Sequence, residues 1–304
     1  MISDVRRIQA LHQLAERGTV TAAAEALGYT PSAVSQQLSA LEAELGVPVI
    51  ERRGRNVVLT DAGRVLLQHG RAALEALELA ESSVAELHGE PTGPVRVGAL
   101  SSAAASIVSD ALKVVMERFP TIEPEVFVHP LDRNVEELRL GTLDIAVDQS
   151  YALAPHTLFD GLEVTELLTE PLVLLSPESH PIDTVEDADE FDWVTAPPDT
   201  ACGRSMASIA ARHGITPRYR YETDDHFATV RLVSAGLAVA VLPSLALLHA
   251  PDGVHTAVVP EATRTISAAT RPTARTRPAV AALVDQLVDS AHSFQLDALM
   301  SVAA

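Results

Sequence analysis

The stretch TPSAVSQQLSALEAELG, residues 30–46, has the pattern of a single amphipathic helix. Thr30 is a favourable N-cap, Pro31 suits the first helical position, and Gly46 can end the helix. The apolar side chains fall on one face of this helix, which holds Val34, Leu38, Leu41 and Leu45. The function of the stretch therefore depends on the opposite face.

That opposite face is small, polar and uncharged. At about 100° per residue, Ser32, Gln36 and Ser39 lie opposite the apolar side chains, with Ser35 and Gln37 on the flanks. Such a face fits the major groove of DNA, where Gln can pair with adenine and Ser can contact base edges or phosphates. An ordinary solvated face is the alternative, although such faces usually carry Lys and Glu. The stretch alone leaves both interpretations open.

Two helices are predicted before this one, and a hairpin after it. Ile8, Leu11 and Leu14 recur at helical spacing, and TVTAAAEALG, residues 19–28, forms a second short helix. That short helix, a tight turn and the quoted helix make a helix-turn-helix. VPVIERRGRNVVLT, residues 47–60, alternates like two strands around a basic turn, which predicts a wing.

Charge supports a DNA contact at this end of the chain. The net charge is −19, but residues 1–60 hold six Arg and six acidic residues, so the excess acid lies in the rest of the chain. Arginines at the wing tip suit phosphate or minor-groove contacts, and a solvated basic turn is the alternative. The candidate DNA-binding residues are Thr30, Ser32, Ser35, Gln36, Gln37, Ser39, Arg52, Arg53 and Arg55.

A continuous helical pattern then runs from Thr60 to about His88. Its apolar residues follow a heptad-like seam of about three repeats, formed by Leu66, Gly70, Ala73, Leu77, Ala80, Val84 and Leu87. We favour a dimerisation helix, because symmetric DNA half-sites need a dimer, over a long helix packed on its own domain. HGEPTGP, residues 88–94, follows as a hinge.

Strand and helix patterns alternate beyond the hinge. VRVGAL, EPEVFV and LDIAV are predicted strands separated by two helices, and this β-α-β-α-β order implies a largely parallel α/β sheet. PLVLLSP, DWVTAP and RYRYET are further strands, CGRSMASIAARHGI is helical, and RPAVAALVDQLVDSA is a final helix.

Composition and motifs exclude several classes of protein. No apolar run of about eighteen residues predicts a membrane span, and the N-terminus lacks the apolar core of a signal peptide, so we expect a cytoplasmic protein. No metal-ligand spacing, phosphate-binding loop, dinucleotide fingerprint or nucleophile elbow occurs, so we expect no metal, no cofactor and no enzyme activity. Cys202 is the single cysteine, which disfavours redox sensing through an intrachain disulfide.

An ordered set of motifs resembles the N-terminal domain of LysR-type transcriptional regulators: AAEAL, SAVSQQLSALEAELG, ERRGR and LTDAG. GTLDIAV and LVSAGLAVAVLP are similar to the effector domain of that family, which has the fold of type 2 periplasmic binding proteins. The implied fold class is α/β with an N-terminal all-α winged helix-turn-helix and a two-lobed periplasmic-binding-like C-terminal domain, joined by a long linker helix. One departure is Gln36, where family members commonly carry Arg, so we expect a different operator preference.

The resemblance covers nearly the whole chain and implies three domains. They are a winged helix-turn-helix at 1–60, a linker and dimerisation helix at 61–88, and an effector-binding domain at 89–304, with lobe one at 94–164 and 267–304 and lobe two at 165–266. The implied partners are double-stranded operator DNA, a small-molecule effector, a second copy of the chain in a dimer or tetramer, and RNA polymerase. No membrane partner is implied.

The effector is expected in the cleft between the lobes, outside the carboxyl ends of the strands. Ser101 and Ser102 follow the first strand at a helix start, and Thr200 opens a helix of the second lobe. Hydroxyl and free N–H groups at a helix start favour an anion such as a carboxylate, and plain helix capping is the alternative for all three residues.

Two further residues complete the candidate effector site. His129 follows the second strand, and Asp225 lies with His226 in ETDDH, an acidic segment that favours a cationic group on the ligand instead. A packing or capping role is again the alternative for His129 and Asp225. The candidate effector-binding residues are therefore Ser101, Ser102, His129, Thr200 and Asp225.

Overall fold

A computed structural model gives the fold and describes residues 4–53, 56–86, 91–139, 141–248 and 253–301. The chain divides into two compact units, the first containing residues 1–89 and the second residues 90–139 and 143–304. Each unit has its own core of buried apolar side chains. Among the described helices, none is long and apolar enough to cross a membrane.

The first unit contains the predicted helix-turn-helix, which is confirmed. Its helices are α1 (Val5–Arg17), α2 (Val20–Leu27) and α3 (Pro31–Leu45). The side chains of Asp4, Thr19 and Thr30 cap these helices, which end at Gly18, Gly28 and Gly46. Their apolar faces meet in one core that includes Leu11, Ala24, Val34, Leu38 and Leu41.

The predicted wing is an antiparallel pair, β1 (Ile50–Arg53) and β2 (Asn56–Leu59). Glu42 on α3 fixes the start of the wing, because its Oε1 accepts hydrogen bonds from the N–H groups of Val49 (2.9 Å) and Ile50 (3.2 Å). The position and the direction of the wing are thus set by the helix that precedes it.

The helix after the wing is α4 (Asp61–Glu86), and Thr60 caps it by accepting a 3.0 Å hydrogen bond from the N–H of Gly63. Gly63 is the glycine of the LTDAG motif. A Cβ atom there would lie 2.0 Å from the carbonyl oxygen of Val49, so no larger residue fits without moving the backbone.

The seam predicted along α4 divides into two parts. Gly70 is buried, and a Cβ atom there would lie 2.6 Å from Cγ2 of Ile8 on α1, so this part packs on its own domain. Further along α4 the apolar residues are exposed: Leu77 by 45% and Val84 by 58%. Leu87 lies outside the described residues.

The second unit begins with the predicted β-α-β-α-β arrangement. β3 (Gly93–Ala99) pairs in parallel with β4 (Ile122–Val128) and with β5 (Ile145–Tyr151). The first connection runs through α5 (Ser101–Ala103), a π-helical segment (Ala104–Val108) and α6 (Ser109–Arg118), and the second runs through α7 (Leu131–Arg139). The prediction of a parallel sheet is confirmed for these three strands.

The rest of this sheet is antiparallel, so the sheet as a whole is mixed and not largely parallel. Two long strands, β6 (Glu163–Pro177) and β10 (Val254–Thr270), pair with each other, and β9 (Ala240–Pro243) pairs with β6. The strand order is β4-β3-β5-β10-β6-β9. A β-bulge interrupts the β10–β6 pairing between Val258 and Thr263, and Glu261 there has a positive φ of 58°. β10 itself is absent from the sequence-based predictions.

The second lobe packs around these long strands. β7 (Asp192–Thr195) and β8 (Arg218–Glu222) are parallel, and the helices here are α8 (Ala201–His213) and α9 (His226–Ser234), followed by a 3-10 turn (Ser244–Leu247). Its core includes the fully buried Trp193. α10 (Pro272–Arg275) and α11 (Pro278–Ser301) follow β10, and α11 packs on α6 and β6.

Candidate functional site

The outer face of α3 is exposed where the sequence predicts a DNA-reading surface. Ser32, Ser35, Gln36 and Ser39 are exposed, and Gln37 is half-buried. Together they present hydroxyl and amide groups that both donate and accept hydrogen bonds, which is what base edges require.

The opposite face holds this surface in place. Val34 and Leu38 are fully buried in the core of the first unit. Glu44 on α3 also pairs with Arg7 on α1, with 2.6 Å between Oε1 and Nη1. α3 is therefore anchored from behind while its outer face stays accessible.

The residues before α3 include one that the sequence did not single out. Thr30 is exposed and caps α3 by accepting a 3.2 Å hydrogen bond from the N–H of Ala33. Tyr29, directly before it, is 43% exposed. The signal in the sequence is an aromatic residue in the two-residue turn between the predicted helices.

The wing residues are placed only in part. Arg52 and Arg53 lie in β1. Arg55 lies outside the described residues. The wing follows α3 directly in the chain, as expected for a basic hairpin that contacts the DNA backbone or the minor groove beside the helix.

A separate cleft of about 740 Å³ lies in the second unit, between its two lobes. The walls of this cleft are formed by turns at the ends of β3, β4 and β8, by β5 and by the start of α8. Of the predicted effector residues, Ser101, His129 and Thr200 line this cleft. The structure therefore brings together three of the five.

Ser102 and Asp225 line a neighbouring pocket of about 500 Å³ instead. Ser102 is buried, and its hydroxyl has no hydrogen-bond partner among the described residues. Asp225 caps α9, because its Oδ1 accepts hydrogen bonds from the N–H groups of Phe227 (2.8 Å) and Ala228 (3.2 Å).

The hydroxyl of Thr200 is also a helix cap. It accepts a 3.0 Å hydrogen bond from the N–H of Gly203 and donates a 2.6 Å hydrogen bond to the carbonyl of Pro197. Nδ1 of His129 lies 3.4 Å from Oε2 of Glu137 on α7 but has no hydrogen-bond partner among the described residues. Thr200 is thus fixed by its own neighbours, whereas the ring of His129 keeps a hydrogen-bonding group unused.

Asp148 on β5 is the least expected group in the cleft. It lines the cleft although it is only 1% exposed. Its Oδ2 accepts a 2.9 Å hydrogen bond from the amide of Asn134 on α7, and its Oδ1 has no hydrogen-bond partner among the described residues. Burial raises the pKa of Asp148 to about 7, against the opposing effect of that hydrogen bond.

Asn134 is itself fixed from both sides. Its amide donates a second hydrogen bond, of 3.1 Å, to the carbonyl of His129. A Cβ atom on Gly98 of β3 would lie 2.5 Å from Oδ1 of Asn134, so the glycine leaves the space that the amide occupies. The position of Asp148 in the cleft is therefore set by three neighbouring elements.

A buried ion pair joins the cleft to the crossing strands. Arg264 on β10 and Glu170 on β6 are fully buried, and Nε and Nη2 of Arg264 lie 2.9 and 2.5 Å from Oε1 of Glu170. Nη1 of Arg264 donates to Oε1 of Gln149, which lines the cleft (2.9 Å). The other oxygen of Glu170 accepts from Ser244 and from the N–H of Leu245. Both oxygens of Glu170 and all three nitrogens of Arg264 therefore take part in hydrogen bonds, which offsets the cost of burying the two charges.

Two other titratable groups of the cleft are neutral near pH 7. Burial lowers the pKa of His226 to about 4. Burial also raises the pKa of the Cys202 thiol. Neither residue therefore supplies charge to a ligand in the cleft.

Asp148, Gln149 and the Arg264–Glu170 pair are not among the residues predicted from the sequence. The signal for Asp148 was a charged residue directly after the apolar run LDIAV. No comparable signal marks Arg264 and Glu170, because their pairing depends on two strands far apart in the chain. Among the described residues, no group of three or more His, Cys, Asp or Glu could hold a metal ion.

Comparison with known protein families gives two matches that together span most of the chain. A family model described as "Bacterial regulatory helix-turn-helix protein, lysR family" matches residues 5–64. Another, described as "LysR substrate binding domain", matches residues 88–292.

Individual relatives agree with these matches. The chain is 30% identical over 261 residues to the transcriptional regulator ShiR of Corynebacterium glutamicum, which covers 83% of this chain and 87% of ShiR. It is 35% identical over 175 residues to a probable hydrogen peroxide-inducible genes activator of Mycobacterium xenopi, covering 58% of this chain and 90% of that protein. The full-length OxyR C199D structure from Pseudomonas aeruginosa shares the fold, with a TM-score of 0.74, 20% identity, and coverage of 94% of this chain and 95% of that one.

Proposed function

The chain belongs to the LysR family of bacterial transcriptional regulators, and we propose which of its residues read DNA and which meet the effector. As a member of that family it is a sequence-specific DNA-binding regulator and not an enzyme, and its C-terminal domain responds to a small molecule. The exposed, uncharged polar face of α3, held from behind by buried Val34 and Leu38, is the observation that carries the assignment of the DNA-reading surface.

On this proposal, α3 enters the major groove and the wing holds the backbone. Ser32, Gln36 and Ser39 meet base edges, with Ser35 and Gln37 beside them. Thr30 at the start of the helix contacts a phosphate. Arg52, Arg53 and Arg55 contact phosphates or the minor groove.

The effector occupies the cleft between the lobes of the second unit. Ser101, His129 and Thr200 line it, with Gln149 as an additional polar contact. Because Gln149 is hydrogen-bonded to Arg264 on a crossing strand, a ligand that moves Gln149 also acts on the strands between the lobes. That connection offers a physical route from ligand binding to a change in lobe arrangement.

The regulator acts as a dimer or tetramer. Leu77 and Val84 on α4 are exposed, and they follow the seam that a partner helix would cover. A second copy would also supply the second half-site contact on symmetric DNA. We place its action in the cytoplasm, where chromosomal operator DNA lies, and we include RNA polymerase among its partners because a regulator bound beside a promoter meets it there.

We do not extend to this chain the response to peroxide named for the relative from M. xenopi. A cysteine reacts with oxidants as the thiolate, and burial raises the pKa of Cys202, which favours the unreactive thiol. The state of Cys202 therefore favours a ligand bound in the cleft over oxidation of this thiol as the signal.

The DNA assignment is tested by titrating a fluorescent operator fragment with the wild type, Gln36→Ala and Arg53→Ala. Gln36→Ala should lower discrimination between the operator and a scrambled fragment about tenfold, because a lost base contact is worth about 1–3 kcal/mol. Arg53→Ala should weaken binding to both fragments and reduce the salt slope by about one. Gln68→Ala, at an exposed position of α4, is the matched control and should behave like the wild type. Wild-type binding by both test variants would show that another surface reads the DNA.

A further inference from the structure

We propose that Asp148 binds a cationic nitrogen of the effector, so that the cleft selects amines or zwitterions over ligands that carry only carboxylates. This inference rests on the proposed role of the cleft as the effector site. It names the chemistry of the ligand and the residue that selects it.

The geometry of Asp148 is the first reason. One carboxylate oxygen is held by Asn134, at 2.9 Å, while Oδ1 has no hydrogen-bond partner among the described residues. A carboxylate that is 1% exposed and has one oxygen without a hydrogen bond is unfavourable, because water cannot replace the missing partner of the buried charge. A donor from a ligand in the cleft would remove that penalty.

The charges around Asp148 are the second reason. Four of the described residues that line the cleft are aspartates: Asp132, Asp148, Asp199 and Asp224. Arg204 is the one Lys or Arg among them, and its guanidinium donates to the backbone carbonyl of Asp199. These aspartates would repel a ligand that carries only negatively charged groups.

Among the described residues, no Lys or Arg forms an ion pair with Asp148. Arg264 is the basic residue whose charge acts on it most clearly, but the guanidinium is bound to Glu170 and Gln149. The pKa of His226 is lowered by burial, so its ring is neutral above pH 5. Above pH 7, where Asp148 is ionised, a cationic group of a ligand in the cleft therefore supplies the positive partner that the described residues do not.

A zwitterion would also use the other end of the cleft. Thr200 precedes α8, a helix of 13 residues, and Thr200 and Ala201 at the start of this helix line the cleft. The positive end of the α8 dipole suits a carboxylate, while Asp148 suits an ammonium group. An amino acid or a related amino acid derivative has both groups.

The experiment uses three probes of matched chain length: putrescine, 4-aminobutyrate and succinate. Each is titrated at millimolar concentrations into the full-length wild type and into Asp148→Asn at pH 8, by calorimetry and by thermal unfolding. Asp110→Asn, an exposed acid-to-amide change on α6, is the matched control. We expect at least one of the two amines, putrescine or 4-aminobutyrate, to bind the wild type and the control. Its affinity should fall at least tenfold in Asp148→Asn. Succinate should bind the wild type more weakly than that amine does.

Several outcomes would overturn the inference. These are failure of both amines to bind the wild type, equal amine binding by Asp148→Asn, or tighter binding of succinate than of the amines.

The variant Ser101→Trp distinguishes failure of this inference from failure of the proposed function, because the tryptophan fills the cleft without changing Asp148. If a probe still binds Ser101→Trp with wild-type affinity, the cleft is not its site. If Ser101→Trp abolishes binding of succinate while Asp148→Asn does not, the cleft is the effector site and only the selection of cations is wrong.

Discussion

Replacing Asp148 by Asn should stabilise the ligand-free protein at neutral pH and above. The pKa of Asp148 is about 7 in the folded protein, against an ordinary value of 3.8. The folded state therefore binds the proton more tightly than the unfolded state, and the free energy of unfolding falls as pH rises from about 4 to about 7, then levels off. Across this pH range the free energy of unfolding falls by at most about 4 kcal/mol, which is about 1.4 kcal/mol for each pH unit between the two pKa values.

The amide is a close replacement for the carboxylate. It has the same shape and can still accept the hydrogen bond from Asn134, but it carries no charge into the buried site. The stability advantage of Asp148→Asn over the wild type should thus be small near pH 4, grow up to about pH 7, and stay constant above that value. Asp110→Asn serves again as the control and should show no such trend.

Trp193 makes the measurement specific to the second unit. It is the single tryptophan of the chain and is fully buried in the core of the second lobe, so its fluorescence follows the unfolding of that unit. Urea titrations at several pH values between about 5 and 8 give the free energies of unfolding. An advantage of Asp148→Asn that does not change with pH, or a variant less stable than the wild type at pH 8, would refute the account of this carboxyl group.

Three further outcomes follow from the structure. Gly63→Ala should destabilise the first unit by about 1–3 kcal/mol, measured by urea denaturation followed by circular dichroism, because the new methyl group collides with the carbonyl of Val49; an unchanged midpoint would contradict that contact. The thiol of Cys202 should react with Ellman's reagent more slowly than free cysteine at the same pH, and a faster reaction would indicate a thiolate. Leu77→Glu should weaken self-association in sedimentation experiments while Ala72→Glu does not, and equal behaviour of the two variants would place the dimer contact elsewhere.

The helix-turn-helix and the wing could be predicted because their determinants are local. Caps such as Thr30, apolar residues at helical spacing and an alternating basic hairpin all lie within a few residues of the structure that they specify. β10 could not be found in this way. Its partners β5 and β6 are distant in sequence, and Pro260 and the bulge beside it interrupt the alternation of its residues.

The effector residues show a different limit. The sequence predicts ligand contacts for Ser, Thr and Asp at helix starts, with capping as the alternative, and in the structure Thr200 and Asp225 are caps. Sequence cannot separate the two roles, since both place a side-chain oxygen at a helix start. The buried state of Asp148 also depends on β3 and β10 lying on either side of β5, which becomes known only once the sheet order is known.

The central claim is that this chain binds a specific DNA sequence through α3 and the wing. The most direct test is a gel-shift titration of the full-length protein with DNA from directly upstream of its own gene, at about physiological salt and with excess nonspecific competitor. Sequence-specific binding should give a discrete retarded band that survives the competitor and is lost to an excess of the unlabelled upstream fragment. Retention that the nonspecific competitor removes as readily as the specific fragment would contradict it.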